Sequence, residues 1–290
     1  VKAGCSILWV HDIHCGEALN HVRDMRFDRV LALSSWHKDF LLRCYPRISP
    51  KKIIVTRNGV DMKRFEGTET RNPHRAIYSS SPDRGLLTLL ELWPRVRAQV
   101  PDAELHCFYG FHNWQTVAEM NNDESSLRAI RHIQHLAKNT AGVWFHDRVN
   151  QKQLAREFMK SGVWSYPTGF HETSCVTAME AQAAGCFVVT SPIAALNETV
   201  GERGIMVGKG AENEWRSTEY MTSFVGALTD SLMFSSNIAR EELKSHALEN
   251  FCLDKLAVEW HSMLKDIHRE VTENVVPPFV HVEAEMGAAE

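Results

Sequence analysis

Trp164-Ser-Tyr-Pro-Thr-Gly-Phe-His-Glu-Thr-Ser-Cys-Val-Thr-Ala-Met-Glu-Ala-Gln-Ala-Ala-Gly-Cys-Phe-Val-Val-Thr190 reads as strand, turn, helix, strand. Pro167 and Gly169 break the first strand, Thr173 or Ser174 is placed to cap the helix, and Gly185 ends it before the next apolar strand. A loop at the carboxyl end of a buried parallel strand, feeding a helix start, is where open α/β sheets bind ligands. The N–H groups of Thr173, Ser174, Cys175 and Val176 would point outwards there. Helped by the helix dipole, they suit an anion or a ring of hydroxyls.

Two carboxylates bracket that helix start. Glu172 stands just before it, and Glu180 lies eight residues on, a little over two turns away on roughly the same face. Such a pair also arises when one glutamate merely caps a helix and the other is a solvated charge. Here Glu180 sits among Ala178, Met179, Ala181, Ala183 and Ala184, a small-residue stretch that reads as buried. A buried carboxylate without a partner is costly. The pair is therefore read as gripping two ends of an extended polyol such as a nucleoside-diphosphate sugar.

The same rhythm runs outward along the chain. Short apolar runs at Ser6 to Val10, Arg29 to Leu33, Lys52 to Val55, Ala76 to Ser79, Glu104 to Phe108, Val143 to Phe145, Gly162 to Tyr166, Phe187 to Thr190 and Gly204 to Val207 lack polar alternation. Strands buried on both faces of a parallel sheet look like this. Helical spacing marks Ser35 to Cys44, Gly85 to Val100, Ser125 to Lys138, Gln151 to Lys160 and Ser174 to Ala184. Pro94 is expected to kink or split the second of these. From Glu214 to Glu273 only helices are expected, followed by a loosely held tail from Pro277. The polar, aperiodic Asp61 to Arg75 segment, with Gly67 and Pro73, suggests a boundary.

Composition bounds the function. With 44% hydrophobic and 23% charged residues over 290 positions, the chain can build a sizeable core, and its length leans towards two domains. A net charge of -4 offers no basic surface for nucleic acid. No apolar run is long enough to cross a membrane, and no signal peptide opens the chain. The seven cysteines include no C-x-x-C pair, which argues for reduced thiols and a cytoplasmic location. Val1 rather than Met runs directly into an apolar stretch, as in a piece of something longer.

The opening segment resembles the E-x7-E motif of family 4 of the retaining glycosyltransferases, in the form Pro-x-x-x-Glu, seven residues, Glu-Ala-x-Ala-x-Gly. Other segments follow in that family's order. Val55-Thr-Arg-Asn-Gly-Val-Asp61 with Phe65 resembles the link leaving the first domain. Tyr78-Ser-Ser-Ser-Pro-Asp-Arg-Gly-Leu86 resembles the loop where a basic residue grips the diphosphate, a place taken by Arg84. Trp144-Phe-His-Asp-Arg-Val149 resembles the strand end near base and ribose, and Phe251 to Trp260 resembles the helix crossing back to the first domain. Leu8-Trp-Val-His-Asp12 resembles the strand end that supplies a histidine near the donor sugar, His11.

The resemblance implies an α/β chain of GT-B type. Residues 1–65 would be part of a first Rossmann-like domain, 66–250 a nucleotide-sugar-binding domain, and 251–290 a crossover helix and tail. Glu172, His11 and Arg84 would act in catalysis. Glu180, Thr173, Ser174, Cys175, Val176, Arg148 and Val149 would hold the donor. Two departures stand out. The family's second basic residue, five positions before Arg84, is Ser79 here, and the first domain's opening βα units would precede Val1.

The implied reaction is sugar transfer from a nucleotide-diphosphate sugar to a glycan, lipid or protein hydroxyl, with retention and through a front-face process. No cofactor is expected, and since no Asp-x-Asp occurs, no metal either. Peripheral membrane contact is compatible with this. The alternatives are a non-catalytic nucleotide-sugar-binding module of a larger protein, or a GT-B nucleotide-sugar epimerase.

Overall fold

The computed structural model describes residues 4–13, 26–234 and 237–273. The tail from Pro277 lies outside the described residues. Strands β1 (Ile7–Trp9), β2 (Arg29–Ala32) and β3 (Ile53–Val55) form one parallel sheet in the order β1-β2-β3. Strands β4 (Asn72–Tyr78), β5 (Glu104–Cys107), β6 (Val143–Phe145), β7 (Ser161–Tyr166), β8 (Phe187–Thr190) and β9 (Ile205–Met206) form a second. Its order is β6-β5-β4-β7-β8-β9, and every pairing is parallel. From β4 the chain first builds outward on one side and then returns to build on the other. The place where that order reverses is the gap between β4 and β7.

All nine expected strands form, with ends shifted by a few residues. The largest shift is at β4, which begins at Asn72 inside the segment read as an aperiodic boundary. Asn72 Nδ2 donates to Glu104 Oε2 at 3.2 Å and Arg71 reaches the Ser161 carbonyl, so polar side chains extend the strand start. Central β7 is buried along its whole length, including Ser161 and Ser165, as a strand covered on both faces is.

Helix α1 (Ser35–Cys44) is capped by Ser34, whose side chain accepts from His37 N. Helix α2 (Leu86–Gln99) is not split: Pro94 lies inside it. Burial of Leu89, Leu90, Leu92, Trp93 and Val96 against the core holds both halves in one helix despite the lost hydrogen bond. Helices α3 (His112–Met120), α4 (Glu124–Asn139), α5 (Gln151–Lys160), α6 (Val176–Ala183) and α7 (Leu196–Val200) follow. The chain closes with α8 (Thr218–Phe234), α9 (Asn237–Asn250) and α10 (Leu253–Thr272). No described helix is long and apolar enough to cross a membrane. The six cysteines within the described residues are all free.

Helix α10 lies against the first sheet. Trp260 packs on Trp9 with centroids 4.6 Å apart, and Arg29 and Arg57 each reach a glutamate of α10, Glu270 and Glu259, at 2.6 Å. The linker between the sheets is pinned beside it. Val60 pairs with Cys252 and packs with Met179, Ala183, Ala247 and Phe251 in a small apolar cluster of its own.

Candidate functional site

The carboxyl ends of β4 and β7 open side by side at the reversal of strand order, the crevice where open α/β sheets take ligands. Gly85 closes the loop after β4. Its φ of +116° is a left-handed conformation, and a Cβ there would run into the Pro167 carbonyl, so the two loops touch. This contact brings Arg84 beside Glu172: Nη1 lies 3.3 Å from Oε1. Phe170 covers the guanidinium at 3.8 Å from its ring centroid. Tyr166, the last residue of β7, donates its hydroxyl to the same Oε1 at 2.7 Å. Burial pushes the Glu172 carboxyl above its ordinary pKa, opposed by Arg84 and by the Tyr166 hydroxyl.

The helix after this loop starts later than its sequence indicates. Helix α6 begins at Val176 with Cys175 at the cap position, and no side chain caps it. Thr173 and Ser174 are not caps, because both are engaged elsewhere or turned inward. Thr173 Oγ1 donates to the His11 carbonyl at 3.0 Å, and the Thr173 carbonyl accepts from Ser34 Oγ at 2.8 Å. Ser174 Oγ is buried without a hydrogen-bond partner, as is Ser79 Oγ at the end of β4. Among the described residues, the backbone N–H groups of Thr173, Ser174, Cys175 and Val176 meet no acceptor. An uncapped helix start with free N–H groups, a buried unpaired hydroxyl and a nearby guanidinium attracts anions.

The match to the motif is looser by one residue than its usual form. Four residues, Thr168 to His171, separate Pro167 from Glu172. The longer loop carries Phe170 onto Arg84 and His171 onto Trp36 of α1, with centroids 5.6 Å apart.

Glu180 is placed differently. It is buried in the middle of α6, and its Oε1 accepts from Arg64 Nη1 at 2.9 Å. Burial raises its pKa, and Arg64 opposes the rise. The expectation of a buried carboxylate is met, with a protein partner besides.

Arg148 and Val149 sit two strands away from β4, in the loop after β6. Arg148 is exposed, 5.7 Å from the Tyr109 ring, while Val149 packs at the core edge. Tyr109 N donates to the Asp147 carbonyl at 3.1 Å, which joins the loops after β5 and β6. Tyr109 and Asp147 both hold positive φ, 124° and 53°. Side chains other than glycine occupy that region at a cost, commonly at functional rims.

His11 meets the motif through its backbone carbonyl rather than its ring, which rests on Trp9 with centroids 4.1 Å apart. Its loop is held by a histidine that the sequence did not single out. His37 is fully buried, its Nδ1 accepts from Leu33 N at 3.2 Å, and its Nε2–H therefore donates to the Asp12 carbonyl at 3.1 Å. Glu198 of α7 joins the two sheets a second way. Its carboxylate accepts from Trp36 N at 2.6 Å and Ser35 N at 2.9 Å, satisfying the start of α1. Tyr166, Phe170 and Arg64 were also missed, although all three lie in or beside quoted motifs. Among the described residues, no group of three or more His, Cys, Asp or Glu is placed to hold a metal ion.

Residues 76–218, from β4 to the first residue of α8, match the family model described as glycosyl transferases group 1. That segment, just under half of the chain, is similar to the group 1 glycosyl transferases. Both halves of the β4–β7 crevice, Glu172 and Glu180 included, fall inside it, whereas His11 and Arg64 lie before it. The chain is similar to alpha-maltose-1-phosphate synthase of Mycobacterium tuberculosis, 24% identical over 83% of this chain and 63% of that protein. It is also similar to MMP alpha-(1->4)-mannosyltransferase of Mycolicibacterium hassiacum, 29% identical over 54% of this chain and 35% of that protein. The chain thus spans less than two thirds of these curated relatives. Among solved structures, Anabaena Alr3699/HepE in complex with UDP and glucose superposes with a TM-score of 0.67 at 12% identity, over 90% of this chain and 71% of that one. The GtfA/B complex superposes with a TM-score of 0.65 at 17% identity, over 90% of this chain and 52% of that one. The matched segment and its flanks share the α/β, GT-B type fold of these structures.

Proposed function

We propose that this chain is the donor-binding part of a glycosyltransferase. It moves a sugar from a nucleoside-diphosphate sugar to a hydroxyl acceptor with retained anomeric configuration and without a metal ion. The observation that carries the reading is the convergence at the β4–β7 crevice of Arg84, Glu172 and the uncapped start of α6. A diphosphate needs fixed positive charge and N–H donors, and a sugar needs a carboxylate to accept from its hydroxyls. All three are within one loop length of each other. Curated relatives with α-linked sugar products in their names fit a retaining reaction.

In the proposed reaction the acceptor hydroxyl oxygen bonds to the anomeric carbon while the bond from that carbon to the diphosphate oxygen breaks. The acceptor proton passes to the departing diphosphate on the same face. Arg84 and the N–H groups of Thr173 to Val176 stabilise the negative charge that develops on the leaving group. A diphosphate carries more charge than a carboxylate and competes with Glu172 for the Arg84 guanidinium. Tyr166 keeps its hydrogen bond to Oε1 of Glu172, and Oε2 accepts from the sugar hydroxyls. Glu180 accepts from the ribose hydroxyls, and Arg148 and Val149 border the base. Ser79 stands where a second cation would be, which leaves Arg84 and the helix start to bind the phosphates.

Calorimetry with UDP, GDP and ADP, followed by hydrolysis of the matching nucleotide sugars in EDTA, tests the reading. Binding of one nucleoside diphosphate and turnover that survives EDTA are expected. No binding of any of the three would overturn the donor site, and a strict need for Mn²⁺ would overturn the metal-free reaction.

A further inference from the structure

The linker between the two sheets reaches into the candidate donor site through one side chain. Residues Met62–Phe65 form a short 3-10 turn whose start is held by Asp61, which accepts from Lys63 N at 3.1 Å. The turn rests on α5, and Phe65 and Met62 pack with the Val60 cluster against α6. Arg64 projects from that turn to Glu180, with both side chains nearly buried at 14% and 10% exposure. Among the described residues it is the charged group that acts on the Glu180 carboxyl. The helices packed beside α6 direct their own charges elsewhere: Glu157 to Arg75 and Lys160, Glu198 to the start of α1, and Arg240 to the Gly162 and Gly185 carbonyls.

We infer that Arg64 is a positioning residue for nucleotide binding: it holds Glu180 ionised and aimed, so that the carboxylate can accept from ribose hydroxyls. An ionised carboxylate is acceptor-only, whereas a protonated one spends an oxygen on its own proton and binds a diol less well. Burial of Glu180 disfavours its charged form, and Arg64 opposes that trend. Arg64 contributes one donor to one oxygen and leaves the other for the ligand. Because Arg64 belongs to the linker, the nucleoside end of the donor site depends on the segment that joins the two sheets. The phosphate end, built on Arg84, does not.

The inference rests on the nucleotide reading of Glu180, and one set of variants separates the two. UDP, GDP and ADP binding is measured by calorimetry between pH 6 and pH 9 for the unaltered chain and for Arg64→Met, Arg64→Lys and Glu180→Gln, with circular dichroism to confirm folding. Arg64→Met is expected to bind the best of the three about ten-fold more weakly at pH 7, with the loss shrinking as pH is raised and the carboxyl ionises. Arg64→Lys is expected to restore binding to within about three-fold at pH 7. A loss in Glu180→Gln without any loss in Arg64→Met overturns the role of Arg64 alone. Unchanged binding in Glu180→Gln overturns the nucleotide reading on which it rests. A pH-independent loss in Arg64→Met, not rescued by lysine, shows a purely structural contribution and also overturns the inference. If Arg64→Met does not fold, the lysine variant and its pH profile carry the same test.

Discussion

Glu172 and Glu180 are the same residue type, buried to nearly the same degree at 11% and 10% exposure, yet they are held in opposite ways. Glu172 sits in a loop, shares one oxygen between Tyr166 and a half-exposed Arg84 at 3.3 Å, and can exchange that cation for another partner. Glu180 sits mid-helix, fixed at 2.9 Å by an arginine from outside the matched segment whose side chain is only 14% exposed. One carboxylate is built to change partners and the other to stay. A donor site needs both: a rigid grip on the nucleoside, and a group beside the sugar that can rearrange during transfer.

The strongest way to break this comparison is to remove the fixed carboxylate. Glu180→Ala takes away the proposed ribose acceptor and leaves Arg64 buried without its counter-charge. Two charge-assisted hydrogen bonds are worth about 1.5–3 kcal/mol each, so nucleotide affinity should fall by about 100-fold or more. Losing a buried ion-pair partner should also lower the melting temperature. Calorimetry with UDP, GDP and ADP on the folded variant decides the point. Unchanged affinity would remove Glu180 from the site.

Arg84→Ala sharpens the contrast from the other end. Its loss should weaken nucleoside diphosphate binding by roughly 10-fold to 30-fold while leaving the parent nucleoside nearly untouched, since only the phosphates meet the guanidinium. Equal losses for both ligands would mean that Arg84 acts on the loop rather than on the diphosphate.

How much of this was legible in the sequence follows from the range over which each feature acts. The strands were readable because burial on both faces leaves short runs without polar alternation, as in Phe187–Thr190. Glu180 was readable as buried because its neighbours along the helix are small. Its partner was not, since Arg64 lies 116 residues away and spacing carries no trace of a contact that the fold creates. Helix α3 escaped notice because only Ala118 of its nine residues is buried, which leaves almost no apolar stripe. Pro94 misled in the other direction: the local penalty is real, but tertiary burial of Leu90 and Trp93 outweighs it. The cap at Thr173 or Ser174 failed for a related reason. Both residues serve contacts made by distant parts of the chain or by the crevice itself.

The pH dependence of stability sharpens the comparison once an opposing trend is separated. His106, on β5, has its pKa lowered to about 3 by burial and by the nearby charges of Arg75 and His146. A histidine whose folded pKa lies below its unfolded value supports the fold above about pH 6.5. That support fades as pH falls towards the folded value. Denaturant titrations should show stability declining by up to roughly 1 kcal/mol per pH unit below pH 6.5. His106→Phe, which keeps a ring against Trp144, should flatten that decline. An unchanged slope would show that His106 does not stay neutral in the folded chain. His37 and His146 shift in the same direction, so part of the slope should remain.

The carboxylates run the other way. A raised folded pKa means that stability is greatest below the unfolded value and is lost as pH rises through the folded one, so ionised Glu172 costs stability at neutral pH. Replacing it with glutamine removes the buried charge, keeps an acceptor for the Tyr166 hydroxyl, and releases Arg84, which is 34% exposed and can turn to water. Glu172→Gln should therefore raise the melting temperature by about 1–3 °C, equivalent to well under 2 kcal/mol. It should do so while weakening sugar transfer, the usual exchange of stability for function at a site. Glu180→Gln should do the reverse, because Arg64 is too deeply placed to find water. If both glutamine variants shift the melting temperature in the same direction, then Arg64 and Arg84 are equally free to leave. The contrast between an exchangeable and a fixed carboxylate would then fail.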